Sequence, residues 1–219
     1  MAGLAAGWLV FALETVAQGG AGALAGFGPP HLLFEPPFGL PRLVLEQGPG
    51  GAHGPWAWAS LLLAGPTAAL LAGTLAHLLT ETIQAPPWLR TLGFEMFAIA
   101  WLRLPVLVLS AGIPGGRGSL ADLYERLGEP ESGRWAAIAL GLVILWGTGA
   151  LVARRAVALG REWLRADSRV FRRRAVRLVA GYPFLLTTAA YAIERPTAPL
   201  GWVVVAMGLV LGCLSLRTT

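Results

Sequence analysis

Apolar residues along this chain fall in long blocks, not at the short periods of an amphipathic helix or strand. Six such blocks fill most of the 219 residues, at 3–27, 56–79, 94–113, 135–152, 175–193 and 200–216. A helix needs about 20 apolar residues to cross a hydrocarbon core roughly 30 Å thick. Lipid offers a spanning backbone no hydrogen-bond partner but itself, so each block is expected to be helical. The expected fold is all-α: one polytopic transmembrane bundle of about six spans, a single membrane domain covering 1–219. The first block contains Ala23-Leu24-Ala25, which resembles a signal-peptidase site. Glu14 and Gln18 interrupt it, however, and no basic residue precedes it. It therefore reads as a span and not as a cleaved leader.

The segments between the blocks differ in kind. Residues 28–55 hold Pro29, Pro30, Pro36, Pro37, Pro41, Pro49 and Pro55, which forbid a continuous helix. The apolar triplets Leu32-Leu33-Phe34 and Leu43-Val44-Leu45 predict a short hairpin there, lying at the interface or dipping into the bundle. No Pro occurs from Trp135 to Ala166, so the fourth helix is expected to run on for about 32 residues, ~48 Å, past the far side of the bilayer. Pro105 is expected to kink the third span. Gly22 and Gly26 form a GxxxG pair, extended by Ala17, Ala21 and Ala25, and Gly208 and Gly212 form another. Such small-residue faces let helices approach closely in lipid.

Charge orients the bundle. Charged residues make up 13% of the chain, against about 25% in soluble domains. All 17 basic residues are Arg. Nine lie in the segment 153–177: Arg154, Arg155, Arg161, Arg165, Arg169, Arg172, Arg173, Arg174 and Arg177. With the amino terminus inside, the inner segments hold those nine with Arg90 and Arg217, and the outer ones only Arg42, Arg117, Arg126, Arg134 and Arg195. The positive-inside rule then puts both termini in the cytoplasm, in what is expected to be a bacterial inner membrane. The basic face is expected to meet anionic lipid or a partner subunit. It flanks a span and lacks interleaved aromatic residues, so nucleic-acid binding is not expected. Trp56, Trp58, Trp88, Trp135 and Trp202 lie near expected span ends, as an interfacial belt does.

Ionisable groups inside spans are costly and are the first place to look for function. Here they are Glu14, Glu95 and Arg103, with Gln18 one turn beyond Glu14. Glu95 and Arg103 lie eight residues apart, so they share a face without having to touch; a charge pair between helices, or Glu95 simply at the interface, is the expected arrangement. A small transporter built around Glu14, Glu95 and Arg103 is one alternative. His77, near the end of the second span, is the one candidate ligand for a haem or pigment, and no second His stands at matching depth. No cofactor is expected. Cys213 is the sole thiol, and neither a phosphate-binding loop nor a dinucleotide fingerprint is present.

Residues Glu14-Thr15-Val16-Ala17-Gln18-Gly19-Gly20-Ala21-Gly22 resemble the zinc helix of site-2-protease-type intramembrane metallopeptidases, in which HExxH is followed by small residues. Ala64-Gly65-Pro66-Thr67-Ala68-Ala69-Leu70 is similar to that family's AGP helix, and Asp122 follows a Pro- and Gly-rich turn where the family carries a metal-binding Asp. The resemblance covers about residues 10–130 and implies a membrane zinc-peptidase framework. Its chemistry is overwritten: Glu14 and Gln18 stand where the two His ligands would be, and Thr15 replaces the general base. A catalytic zinc takes three firm ligands and an activated water. Glu14, Gln18 and Asp122 supply an oxygen-only set, the basis of a second alternative, a metalloprotease with variant ligands. The leading expectation is a non-catalytic, pseudoprotease-like subunit or scaffold that acts through other membrane subunits and bound lipid.

Overall fold

Proline starts the helices here as often as it interrupts them. α2 (Pro55–Thr82) and α3 (Pro87–Gly112) both begin with Pro in the first turn, where the missing N–H would have had no partner anyway. The computed structural model describes residues 2–35, 40–45, 53–113, 119–128 and 131–164. Among these it contains α1 (Ala2–Leu24), a hairpin of β1 (Pro30–Glu35) and β2 (Leu40–Leu45), α2, α3, the short α4 (Ser119–Leu127) and α5 (Glu131–Leu164). The blocks at 175–193 and 200–216, with the Arg residues from 165 to 177, lie outside the described residues.

Three helices are long and apolar enough to cross a membrane: α2, α3, and α5 as far as Ala156. They coincide with the second, third and fourth apolar blocks. The first block falls on α1, which carries Glu14, Thr15 and Gln18 near its centre. α3 is the hub, packed against α1, α2, α4 and α5. In its apolar window 67% of residues are buried inside the protein, against 28% in α2 and in α5. The outer faces of α2 and α5 carry Leu71, Leu75 and Leu79, and Leu140, Val143 and Trp146, all exposed. Faces of this kind on two long helices call for a lipid surround, so the chain is a membrane protein.

One expectation needs correction and two others take definite form. The fold is mostly helical but not all-α. The Pro-rich segment forms an antiparallel hairpin in which Leu32 faces Leu43 and Leu33 faces Arg42, and it lies against α1. Two strands are both edges, so Pro30 and Pro41 cost no interior ladder bond. α5 is the unbroken helix expected from Trp135 onward; its 34 residues reach about 51 Å, beyond the bilayer core. Packing with α3 holds it along much of that length, from Leu109 and Leu145 at one end to Phe94, Ala156 and Leu159 at the other. The amphipathic α4 had no counterpart in the apolar pattern. It buries Ala121 towards the bundle and exposes Asp122 and Glu125.

Gly26 does not serve the helix-contact role that the GxxxG spacing implied. It sits at φ +82°, past the end of α1, where Phe27 N–H donates to Gly22 O and Gly26 N–H to Ala23 O. That pair of bonds is a Schellman cap, and a left-handed residue is what it requires. α2 ends the same way, with Ala85 N–H on Thr80 O and Gln84 N–H on Glu81 O, but there Gln84 takes the left-handed position at φ 47°. The close helix approaches are made elsewhere. A Cβ on Gly73 of α2 would stand 2.8 Å from the Met96 carbonyl oxygen of α3. Across the same interface Trp101 Nε1 donates to Thr74 Oγ1 at 3.0 Å, while the Thr74 hydroxyl donates to Leu70 O at 2.7 Å.

Two stability changes of opposite sign follow. Gly73→Ala pushes a methyl into backbone that cannot yield, and is expected to cost about 1–3 kcal/mol. Gln84→Gly relieves a left-handed non-glycine and is expected to stabilise by up to about 1 kcal/mol. Thermal unfolding midpoints in detergent check both; an unchanged Gly73→Ala protein would refute the tight α2–α3 contact.

Candidate functional site: an ion pair within the membrane

Glu14, Gly65 and Arg103 lie about nine or ten residues from the end of α1, the start of α2 and the end of α3. α2 runs antiparallel to the other two, so the three meet at one level, ~15 Å from the helix ends, about half-way through a bilayer core. Arg103 Nη1 donates a hydrogen bond to Glu14 Oε2, closing a salt bridge between α3 and α1. The Arg103 guanidinium carbon also lies 4.3 Å from the centre of the Phe11 ring, one turn from Glu14. This geometry lets the ring face share the positive charge where water does not. Glu14 is buried and Arg103 half-buried.

Gly65 makes room for the acidic side of the pair. A Cβ there would fall 2.5 Å from Glu14 Cγ and 2.8 Å from Gln18 Cγ, so the two polar side chains of α1 lie directly over a notch in α2. Beside the pair is a small cleft lined by Pro66, Ala69 and Leu70 of α2 and Ala100, Leu104 and Leu107 of α3, with room for no more than about one water molecule. Both helices carry a proline at this level, Pro66 and Pro105, and each proline leaves one carbonyl of the preceding turn without its helical donor. Below the pair, Ala6, Val10, Ala69, Met96 and Ile99 form an apolar plug.

The other candidate residues are not drawn into this site. Glu95 is buried on α3 two turns from Arg103, and its Oε2 accepts no hydrogen bond among the described residues. His77 is buried. Its ring packs 5.0 Å from Phe97 and 5.9 Å from Phe94, and its Nε2 lies 3.4 Å from Glu81 Oε1. The other oxygen of Glu81 is 3.4 Å from Arg155 Nη1, a side-chain bridge between α2 and α5, which do not otherwise pack on each other. Glu81 and Phe11 were missed in the sequence. The signal for Glu81 was its place one turn after His77. His53 stacks on Phe27 at 3.9 Å at the opposite end of α2, and His31 is exposed on β1.

Asp122 is exposed in the first turn of α4, a helix that packs on α2 and α3 but not on α1. Glu14, Gln18 and Asp122 are therefore not assembled into one ligand set, and no cluster of three His, Cys, Asp or Glu exists among the described residues. Arg154 and Arg155 are exposed towards the C-terminal end of α5. Arg161 is on the same helix, and the remaining six of the nine basic residues lie outside the described residues. Comparison with protein-family models, with curated proteins and with solved structures finds no match to this chain.

A carboxylate held by a guanidinium in a dry interior is stabilised as a unit, while either charge alone is left unsolvated. Arg103→Leu or Glu14→Leu alone is expected to cost about 3–5 kcal/mol, and the double replacement to recover most of that. A double-mutant cycle on thermal stability in detergent checks this. Additive losses would mean that the two groups do not depend on each other.

Proposed function

We propose that this chain is a non-catalytic integral membrane subunit or scaffold, built on the helical framework of the site-2-protease-type metallopeptidases and without their chemistry. The observation that carries the reading is the engagement of Glu14 by Arg103. The residue standing at the first zinc-ligand position serves a helix–helix charge pair, and Gln18, at the second, is seated against Gly65. The contact between those residues and the AGP segment supports the family framework. The protein then works by what it binds: other membrane subunits along the exposed apolar faces of α2 and α5, and anionic lipid along the Arg-rich end of α5.

In this reading the chain has about six spans, with both termini on the cytoplasmic side of a bacterial inner membrane. The asymmetry of Arg residues supports that orientation, and the exposed Trp56, Trp88 and Trp135 near the starts of α2, α3 and α5 support seating at the two interfaces. A second reading, a small transporter, draws on the cleft beside Glu14 and Arg103, where Pro66 and Pro105 interrupt two helices at one depth.

Protein purified from its native membrane in mild detergent is expected to migrate as a larger complex, with a stoichiometric partner and without stoichiometric zinc. An isolated monomer with no co-purifying protein would defeat the scaffold reading. One zinc per chain would return the protein to the peptidases.

A further inference from the structure

We infer that the rim of the gap between α2 and α5 is a binding site for one anionic phospholipid, its phosphate held by Arg155 and Arg90 and an acyl chain lying in the gap. α2 and α5 each pack on α3 but not on each other. Between them α3 presents Trp101, which packs beside Phe97 and donates to Thr74 of α2 at 3.0 Å. Thr74, Leu78 and Glu81 follow one another at helical spacing along α2, as Leu151 and Arg155 do along α5. Leu78 and Leu151 are exposed. A gap in a bilayer with an aromatic floor and a leucine on each side suits a lipid tail, which is as apolar as leucine.

One end of the gap is polar. Glu81 is the last residue but one of α2, and Arg155 the last but one of the apolar part of α5, Glu131–Ala156. Arg90 stands near the start of α3. All three are placed where the apolar stretches end, at the level of lipid headgroups. Among the described residues, the charges that act on His77 there are two guanidiniums, Arg155 and Arg90, and one carboxylate, Glu81. Positive charge is in excess by one, which a phosphodiester balances. The Arg155 side chain is 46% exposed, and its 3.4 Å contact with Glu81 is longer than the roughly 2.7–2.9 Å of a firm charge-assisted bond. A phosphate can therefore displace Glu81 and accept two parallel N–H bonds from the guanidinium. Glu81 keeps its neighbour His77, whose Nε2 lies 3.4 Å from its other oxygen. Arg154 is exposed too, but it lies about 100° round the helix from Arg155, opposite the face of Val152, Ala156 and Leu159 that packs on α3. The inference rests on the reading that the basic end of α5 binds anionic lipid, and narrows it to one place.

The test loads the full chain, purified in mild detergent, with phosphatidylglycerol or phosphatidylcholine and reads the lipid retained per chain by native mass spectrometry. The unaltered protein is expected to retain one phosphatidylglycerol about fivefold more often than phosphatidylcholine. Arg155→Gln is expected to abolish that preference, and Arg154→Gln to leave it within about twofold. Glu81→Gln breaks the same bridge as Arg155→Gln but is expected to raise retention, because it removes the competing carboxylate. Inorganic phosphate in large excess is expected to leave the lipid in place. Equal losses in Arg154→Gln and Arg155→Gln, or a loss in Glu81→Gln, overturn the site and leave lipid binding along the basic end of α5 standing. Displacement by inorganic phosphate overturns lipid as the occupant. No preference in the unaltered protein removes the lipid reading, and the inference with it.

Discussion

A carboxylate and a guanidinium half-way through a bilayer have no water to solvate them, and much of the packing of this protein follows from their being there together. Each charge at the centre of a span costs about 2.5–3.5 kcal/mol on insertion scales. Joined, they leave a compact dipole shielded by the ring of Phe11. To bring them together, α1 must lie beside α3 at one register, and α2 must offer a position without a side chain where Glu14 and Gln18 cross it. Gly65 is that position. The register in turn stacks Ala6 and Val10 on Met96, Ile99 and Ala69, which close the interior beneath the pair.

The same economy of polar groups recurs through the bundle. Threonine hydroxyls bond back to the preceding turn, as Thr15, Thr74 and Thr148 do, and so remain satisfied without water. Trp101 finds its acceptor on the neighbouring helix. Backbone at the helix ends is closed by Schellman caps at Gly26 and Gln84. What is left unsatisfied is correspondingly informative: Glu95 Oε2 and both ring nitrogens of His77 are buried without hydrogen bonds among the described residues. Both stand in the half of the bundle away from the hairpin.

For function, the central fact is that the polar centre of the protein is internally matched. Glu14 is turned towards a cation of the same chain, and the cleft beside it has room for about one water molecule. The surfaces left open are apolar on α2 and α5 and basic where α5 runs beyond the membrane. That distribution supports the proposed reading, in which the protein works through its contacts. α5 is suited to such a role, because a continuous helix of this length carries a rigid arm from the bilayer core into the aqueous phase.

The apolar blocks by themselves determined the membrane class, three of the spanning helices and the long reach of α5, since burial in lipid depends on composition over some 20 residues and not on neighbours. The hairpin was legible from its prolines and apolar triplets for a similarly local reason. Partnership was not. Glu95 and Arg103 share a helix face and drew attention as candidates, but the counter-charge of Arg103 proved to be Glu14, distant in sequence and brought close only by packing. Gly26 and Gly65 look alike in sequence, each in a run of small residues, yet one caps a helix and the other receives a carboxylate. Which role each takes depends on the backbone angle and on the neighbour across the interface, and both are properties of the folded bundle alone.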